Sequence, residues 1–217
     1  MLRNPRLRDV PFAVCGSTEE RHGIVLAANY PAKRQGVKTA MANWEARSVC
    51  KGLKTVPPRY DDYLQFSGFV REIYADYTNE IESFGLDECW VSLTGNVSNY
   101  SQGEKLVNEI RGRIKNELGL YISVGLSFNK IFAKLGSDMR KPDNYTIITP
   151  DNYKELVWSL PAGDLLYVGR KTQIKLASQY IKTIGDIANC DPERLHRMLG
   201  KVGYILYAFA NVSTTVI

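Results

Sequence analysis

Between residues 60 and 127 the apolar residues recur in an order that few folds can accommodate: helix, strand, strand, helix, strand. From about Tyr60 to Tyr77, the residues Leu64, Phe66, Phe69, Val70, Ile73, Tyr74 and Tyr77 build one wide apolar face at helical spacing. Ile81 to Phe84 and Cys89 to Leu93 are short apolar runs joined by the tight segment Gly85-Leu86-Asp87-Glu88. A second amphipathic helix runs from about Gly103 to Leu118, followed by a strand at Tyr121 to Ser127. This is the order of a split βαβ sheet whose first strand is missing. Asn129 to Asp138 reads as a further short helix and Tyr145 to Thr149 as a further strand.

The flanks differ in pattern. Pro11 to Cys15 and Ile24 to Asn29 read as buried strands around a polar hairpin loop, Gly16 to Gly23, and Met41 to Cys50 as a helix closed by Gly52. Pro57-Pro58 marks a boundary, because neither residue can donate to a ladder. From Asp151 onward the pattern is all helical: Asp151 is expected to cap one helix, and Asp191-Pro192-Glu193 to start another with Pro at the first helical position.

Bulk properties narrow the function classes. The 217 residues carry a net charge of +5, compatible with a polyanionic partner but common elsewhere too. Cys15, Cys50, Cys89 and Cys190 form no C-x-x-C pair and sit beside small or apolar residues, which predicts buried free thiols in a reducing compartment. With His22 and His196 distant from any cysteine cluster, no zinc site is expected. The arginine-rich start has no secretory h-region, and the longest uncharged run, Val202 to Ile217, falls short of the ~18 apolar residues of a membrane span. A cytoplasmic protein without membrane contact is expected.

Four segments could carry chemistry. Asp87 and Glu88, at a strand end, are two hard oxygen donors of the kind that hold Mg²⁺ in phosphoryl transfer; alone, such a pair is more often the polar corner of a hairpin. Asn129 to Lys134, continuing to Lys141-Pro142, gathers Lys130, Lys134, Arg140 and Lys141 around a short helix, either for phosphate recognition or as a solvated basic face. Tyr30 and Lys33, three apart at a strand-to-helix junction, project from one side of a first turn; they could meet a phosphate, or Tyr30 could pack on the sheet while Lys33 faces water. Finally, Val168-Gly169-Arg170-Lys171 joins two short helices and suits a nucleic-acid backbone phosphate, or is a plain turn.

In order and spacing, these segments resemble the Y-family DNA polymerases, the error-prone translesion enzymes. The resemblance covers essentially the whole chain and rests on Ala28-Asn29-Tyr30, Gly36-Val37, Ala40-Met41, Leu86-Asp87-Glu88, Ser123 to Ser127, Asn129 to Lys134, Asp138, Lys141-Pro142 and Thr183 to Ala188. It implies an α+β right hand: small α/β fingers over residues 1–59, a ferredoxin-like palm over 60–148 lacking its first strand, and an all-helical thumb over 149–217. It implies that Asp87 and Glu88 are catalytic ligands of two Mg²⁺ ions, that Tyr30, Lys33 and Lys141 bind the incoming nucleotide, and that Val168, Gly169, Arg170 and Lys171 grip the DNA backbone. The implied partners are primer-template DNA, a dNTP and, through a C-terminal region beyond the thumb, a sliding clamp.

The chain departs from the family pattern in several places. Lys33 stands for an arginine, losing a bidentate fork. Ala27 stands where a hydroxyl is common, and Gly85 replaces a more usual Ser or Ile. Tyr167 occupies the first glycine of the thumb hairpin, where a Cβ disfavours positive φ. Met1 to Pro5 falls within the helix that follows the family's first palm strand, the strand bearing an aspartate shared by both metals. The expectations are therefore a translesion polymerase chain inactive by itself with a weak metal site or, alternatively, a non-catalytic DNA-binding or partner-binding remnant.

Overall fold

The computed structural model describes residues 4–17 and 23–212. The chain divides into two compact units, Met1–Phe66 and Ser67–Ile217, the division falling inside the helix Tyr60–Ala75.

In the first unit, Phe12–Cys15 (β1) pairs antiparallel with Val25–Ala28 (β2), Ala13 lying opposite Ala28. The helices Tyr30–Arg34 (α1) and Asn43–Val49 (α2) follow β2. They supply the crossover that a parallel neighbour requires, and Lys54–Val56 (β3) then pairs parallel with β1, giving the order β2-β1-β3. Ala13, Val25, Ala32, Val37, Ala46, Cys50 and Leu53 fill the core between sheet and helices. β3 is invisible as a sequence pattern: Lys-Thr-Val has one apolar residue, and only pairing with β1 makes it a strand. Ahead of β1, Pro5–Leu7 is a single 3₁₀ turn rather than part of a longer helix. Met1 to Arg3, and Thr18 to His22 of the expected hairpin loop, lie outside the described residues.

In the second unit the expected order is present: Tyr60–Ala75 (α3), Ile81–Ser83 (β4), Cys89–Val91 (β5), Tyr100–Leu118 (α4), Val124–Ser127 (β6), Lys130–Met139 (α5) and Tyr145–Ile148 (β7). Ile73 of α3 packs on Ile110 and Ile114 of α4. α4 begins three residues before the expected Gly103, because the Asn99 side chain accepts from the Gln102 amide and caps it there. β6 begins at Val124 rather than Tyr121, whose ring is exposed. Among the described residues the strands form two separate ladders, β4-β5 antiparallel and β6-β7 parallel, not one continuous sheet. Among the described residues, β5 and β6 thus each pair on one side only.

After β7 the chain is helical throughout: Tyr153–Val157 (α6), a 3₁₀ turn at Ala162–Asp164, Arg170–Ser178 (α7), Ile184–Ala188 (α8), Pro192–Leu199 (α9) and Lys201–Ala210 (α10). The expected Asp151 cap is not made. Asn152 is the N-cap residue of α6, and its Oδ1 instead accepts from the Thr149 amide at 2.8 Å, closing the turn out of β7. Asp191 does cap α9, with Pro192 in its first turn. One continuous core joins Phe132 and Leu135 of α5 and Ile148 of β7 to Val157, Leu165, Leu176, Ile184, Ile187, Leu195 and Leu206. Each such buried aliphatic side chain contributes about 1.5–3 kcal/mol. All four cysteines are free; Cys15 and Cys50 are buried, whereas Cys89 and Cys190 are only half-buried, contrary to the uniform burial expected. Among the described residues, no helix is long and apolar enough to cross a membrane.

Candidate functional site

The acidic pair is held from α3. The turn between β4 and β5 runs through Gly85, in the left-handed region at φ +86°. Its carbonyl accepts from the Arg71 guanidinium at 3.1 Å, and that of Leu86 from the Ser67 hydroxyl at 2.5 Å. With both carbonyls tethered, Asp87 is left exposed and Glu88 half-buried at the start of β5.

Opposite them lies α5. The Asn129 side chain caps it by accepting from the Phe132 amide at 2.8 Å, and its distance from β6 is set by Gly125. A Cβ there would lie 1.9 Å from the Ala133 carbonyl oxygen, so strand and helix touch backbone to backbone. This approach brings the Lys130-Lys134-Asp138 side of α5 against β4 and β5. Trp90 Nε1 donates to the Lys130 carbonyl at 2.9 Å, and the Lys130 ammonium pairs with Glu82. Lys134 Nζ reaches Glu88 Oε1 at 3.0 Å and Asp138 Oδ2 at 2.7 Å, while Lys141 Nζ holds Asp138 Oδ1 at 2.6 Å.

A chain of alternating charge, Glu88–Lys134–Asp138–Lys141, therefore joins two expected site residues through two others. Burial alone would lower the pKa of the Lys134 ammonium, but its contacts with Asp138 and Glu88 outweigh burial and hold it above the ordinary lysine value. Likewise burial would raise the pKa of Asp138, and the lysines at 134 and 141 override that and hold it below the ordinary carboxylate value. Sequence reasoning named Lys134 and Asp138 among the basic segment and motifs but missed their link to Glu88. The i, i+4 spacing of Lys134 and Asp138 was a usable signal; the partner 46 positions away was not.

As a metal site the pair has the right chemistry and few donors. Carboxylate oxygens suit Mg²⁺, which commonly takes one or two of them and completes its shell with water and substrate phosphates. No cluster of three or more His, Cys, Asp or Glu suited to a metal occurs among the described residues. The donors fit a metal that arrives with a phosphate ligand better than a pre-built cage.

The remaining expected site residues lie elsewhere. Tyr30 and Lys33 belong to the first unit, where Asn29 anchors α1: its Oδ1 accepts from the amides of Phe12 at 3.0 Å and Ala32 at 3.1 Å, and its Nδ2 donates to the Val10 carbonyl at 2.8 Å. The Lys33 ammonium lies 5.4 Å from the centroid of the half-exposed Tyr30 ring, so the two side chains do share one side of the turn. In the second unit, Gly169 is the N-cap of α7, with no side chain satisfying the first-turn amides. Val168 is buried beneath the turn while Arg170 and Lys171 are exposed. Tyr167 does enter the left-handed region, at φ +70°, and its ring lies 5.8 Å from that of Phe209. That conformation costs about 1–2 kcal/mol for an L-residue, offset here by the ring contact. An open groove of about 380 Å³ between α3 and α4, lined by Phe69, Ile73, Asp76, Arg113 and Glu117 among others, contains none of the expected site residues.

Comparison with known proteins places this geometry in context. Residues 1–138 match the impB/mucB/samB family model. The chain is 54% identical over 210 residues to DNA polymerase IV of Acetivibrio thermocellus, covering 97% of this chain and 53% of that protein. It is 39% identical over 207 residues to DNA polymerase IV of Escherichia fergusonii, covering 95% of this chain and 62% of the relative. The structure of DinB from Sulfolobus solfataricus superposes on all of this chain with a TM-score of 0.91 at 25% identity, over 64% of that chain. An insertion ternary complex of Dbh DNA polymerase also has a TM-score of 0.91, at 26% identity, over 100% of this chain and 64% of its own. The chain thus spans between about half and two thirds of the proteins it matches.

Proposed function

Because the chain belongs to the impB/mucB/samB family and shares its α+β fold with Y-family polymerases, we propose that it is the core of a template-directed DNA polymerase that copies damaged DNA. The single observation that carries this reading is the charge chain from Glu88 through Lys134 and Asp138 to Lys141. It sets a metal-type carboxylate and a phosphate-type cation on one structural unit, as phosphoryl transfer to an incoming nucleotide requires.

In this reading, residues 1–59 act as fingers, 60–148 as palm and 149–217 as thumb. Asp87 and Glu88 hold Mg²⁺, which neutralises charge on the attacking and leaving oxygens. Lys134 orients the Glu88 carboxylate through their 3.0 Å contact. Lys141 leaves Asp138 to meet the triphosphate, and Tyr30 and Lys33 contact it from the fingers, Lys33 as a point charge rather than a fork. The Val168-Gly169-Arg170-Lys171 turn binds a backbone phosphate without reading sequence. Primer-template DNA and a dNTP are the substrates, and a sliding clamp would bind outside this chain.

The test is primer extension with Mg²⁺ by the protein at the length of its relatives. The expected result is template-dependent incorporation, abolished by Asp87→Ala and by Glu88→Ala. Full activity of both variants would refute the assignment.

One observation favours a second reading, a non-catalytic DNA-binding or partner-binding remnant: among the described residues no group of three or more His, Cys, Asp or Glu is placed to hold a metal. That reading expects salt-dependent DNA binding without extension.

A further inference from the structure

The basic excess is not spread over the molecule. Residues 1–66 carry eleven Lys and Arg against six Asp and Glu, whereas residues 67–217 carry seventeen of each, so the whole +5 resides in the first unit. Within that unit the bulkiest aromatic side chain faces outward. Trp44 on α2 is 74% exposed, although a tryptophan of a small α/β unit is ordinarily covered. Arg47 lies one turn further along α2 on the same side and is exposed, its guanidinium donating to the Thr55 hydroxyl on β3 at 3.3 Å. Lys51 in the following turn and Lys54 at the start of β3 are exposed as well, as is Lys38 shortly before α2. The one acidic residue on α2, Glu45, is half-buried beside Trp44. None of these residues belongs to the polymerase site proposed above.

An exposed aromatic plane followed by cations at three, seven and ten residues is the arrangement that binds single strands. Bases stack on the aromatic face whatever their identity, and the cations follow the backbone. Duplex DNA offers no free base face to such a ring. A protein partner would also cover Trp44, but the cations around it, in the unit that carries the whole net charge, favour a polyanion.

We propose that the α2–β3 edge of the first unit is a binding surface for single-stranded nucleic acid, with Trp44 as a base-stacking platform and Arg47, Lys51 and Lys54 as phosphate contacts. This deepens the polymerase reading and rests on it, since an unpaired template strand is the single strand such an enzyme meets.

The experiment titrates the chain with a dT12 oligonucleotide and with a blunt 12-base-pair duplex, following tryptophan fluorescence and anisotropy of a labelled oligonucleotide. Wild type should bind dT12 with quenching of Trp44 emission. Trp44→Ala should weaken dT12 binding about tenfold, and Trp44→Phe should restore most of it, since stacking contributes about 1–3 kcal/mol per base. Lys51→Ala and Lys54→Ala should each reduce the slope of log K against log salt by about 0.7. Duplex affinity should be unchanged by Trp44→Ala. Far-UV circular dichroism of that variant should match wild type, because the side chain is exposed. If Trp44→Ala binds dT12 as wild type does, or if Trp44 is quenched by self-association without DNA, the inference fails while the polymerase reading stands. If wild type does not bind dT12 at low salt, the inference fails, while the polymerase reading is decided separately by primer extension at the relatives' full length.

Discussion

Replacing Gly125 by alanine tests whether the approach of β6 to α5 organises the second unit. The new methyl carbon would meet the Ala133 carbonyl oxygen at 1.9 Å, so strand and helix must part by about 1.5 Å to reach ordinary contact near 3.4 Å. α5 cannot shift alone. Its Phe132 and Leu135 are buried in the core shared with the C-terminal helices, and its Lys134 holds Glu88. Overpacking of this kind costs about 1–3 kcal/mol, and backbone obstructs here rather than a flexible side-chain tip, so the upper end applies. For a chain of this size about 3 kcal/mol lowers Tm by roughly 6–12 °C. Gly112 provides the opposite case. It lies inside α4 with nothing within 4 Å of where a Cβ would sit, so Gly112→Ala should stabilise by about 0.5–1 kcal/mol through helix propensity alone. Thermal melts followed by circular dichroism at one concentration compare the three proteins. Gly125→Ala melting within 1–2 °C of wild type would refute the claim that this contact sets the geometry, since ~1 kcal/mol moves Tm by about 2–4 °C.

Other expectations follow from the same contacts. The Asp186 carboxylate accepts from the amides of Lys182 and Thr183 in a capping box at the start of α8, and those bonds hold its pKa below the ordinary carboxylate value. Asp186→Ala should therefore cost about 1 kcal/mol at neutral pH. A depressed folded pKa contributes stability above the unfolded value near 4, and that contribution is lost as pH falls through the folded one; urea melts of variant and wild type should converge in acid. Under the polymerase reading, Lys141→Ala should raise KM for the incoming nucleotide by about tenfold or more, whereas Lys33→Arg, which restores a bidentate fork, should lower it several-fold. Steady-state kinetics at the relatives' full length would decide both, and an unchanged KM for Lys141→Ala would remove that residue from the site.

The helix and strand order of the second unit was legible because each element carries its own period: the apolar stripes of α3 and α4, the short runs at β4 and β5, and the cap residue Asp191, whose side chain accepts from the amide two residues on. These are local interactions, and local chemistry is what a sequence displays. The acidic pair and the lysines were legible for the same reason, as residue types at characteristic spacings. Tertiary structure alone decided the rest. β3 is a strand only because β1 lies beside it, and Asn152 rather than Asp151 heads α6 because its side chain is drawn to the turn leaving β7. Lys134 became the partner of Glu88 only when a backbone contact at Gly125 brought α5 close to β6. The exposure of Trp44 belongs to the same class, since composition ranks tryptophan as a core residue and only packing shows which face of α2 remains uncovered. Pairings between residues tens of positions apart depend on how whole elements pack, and no window of sequence contains that information.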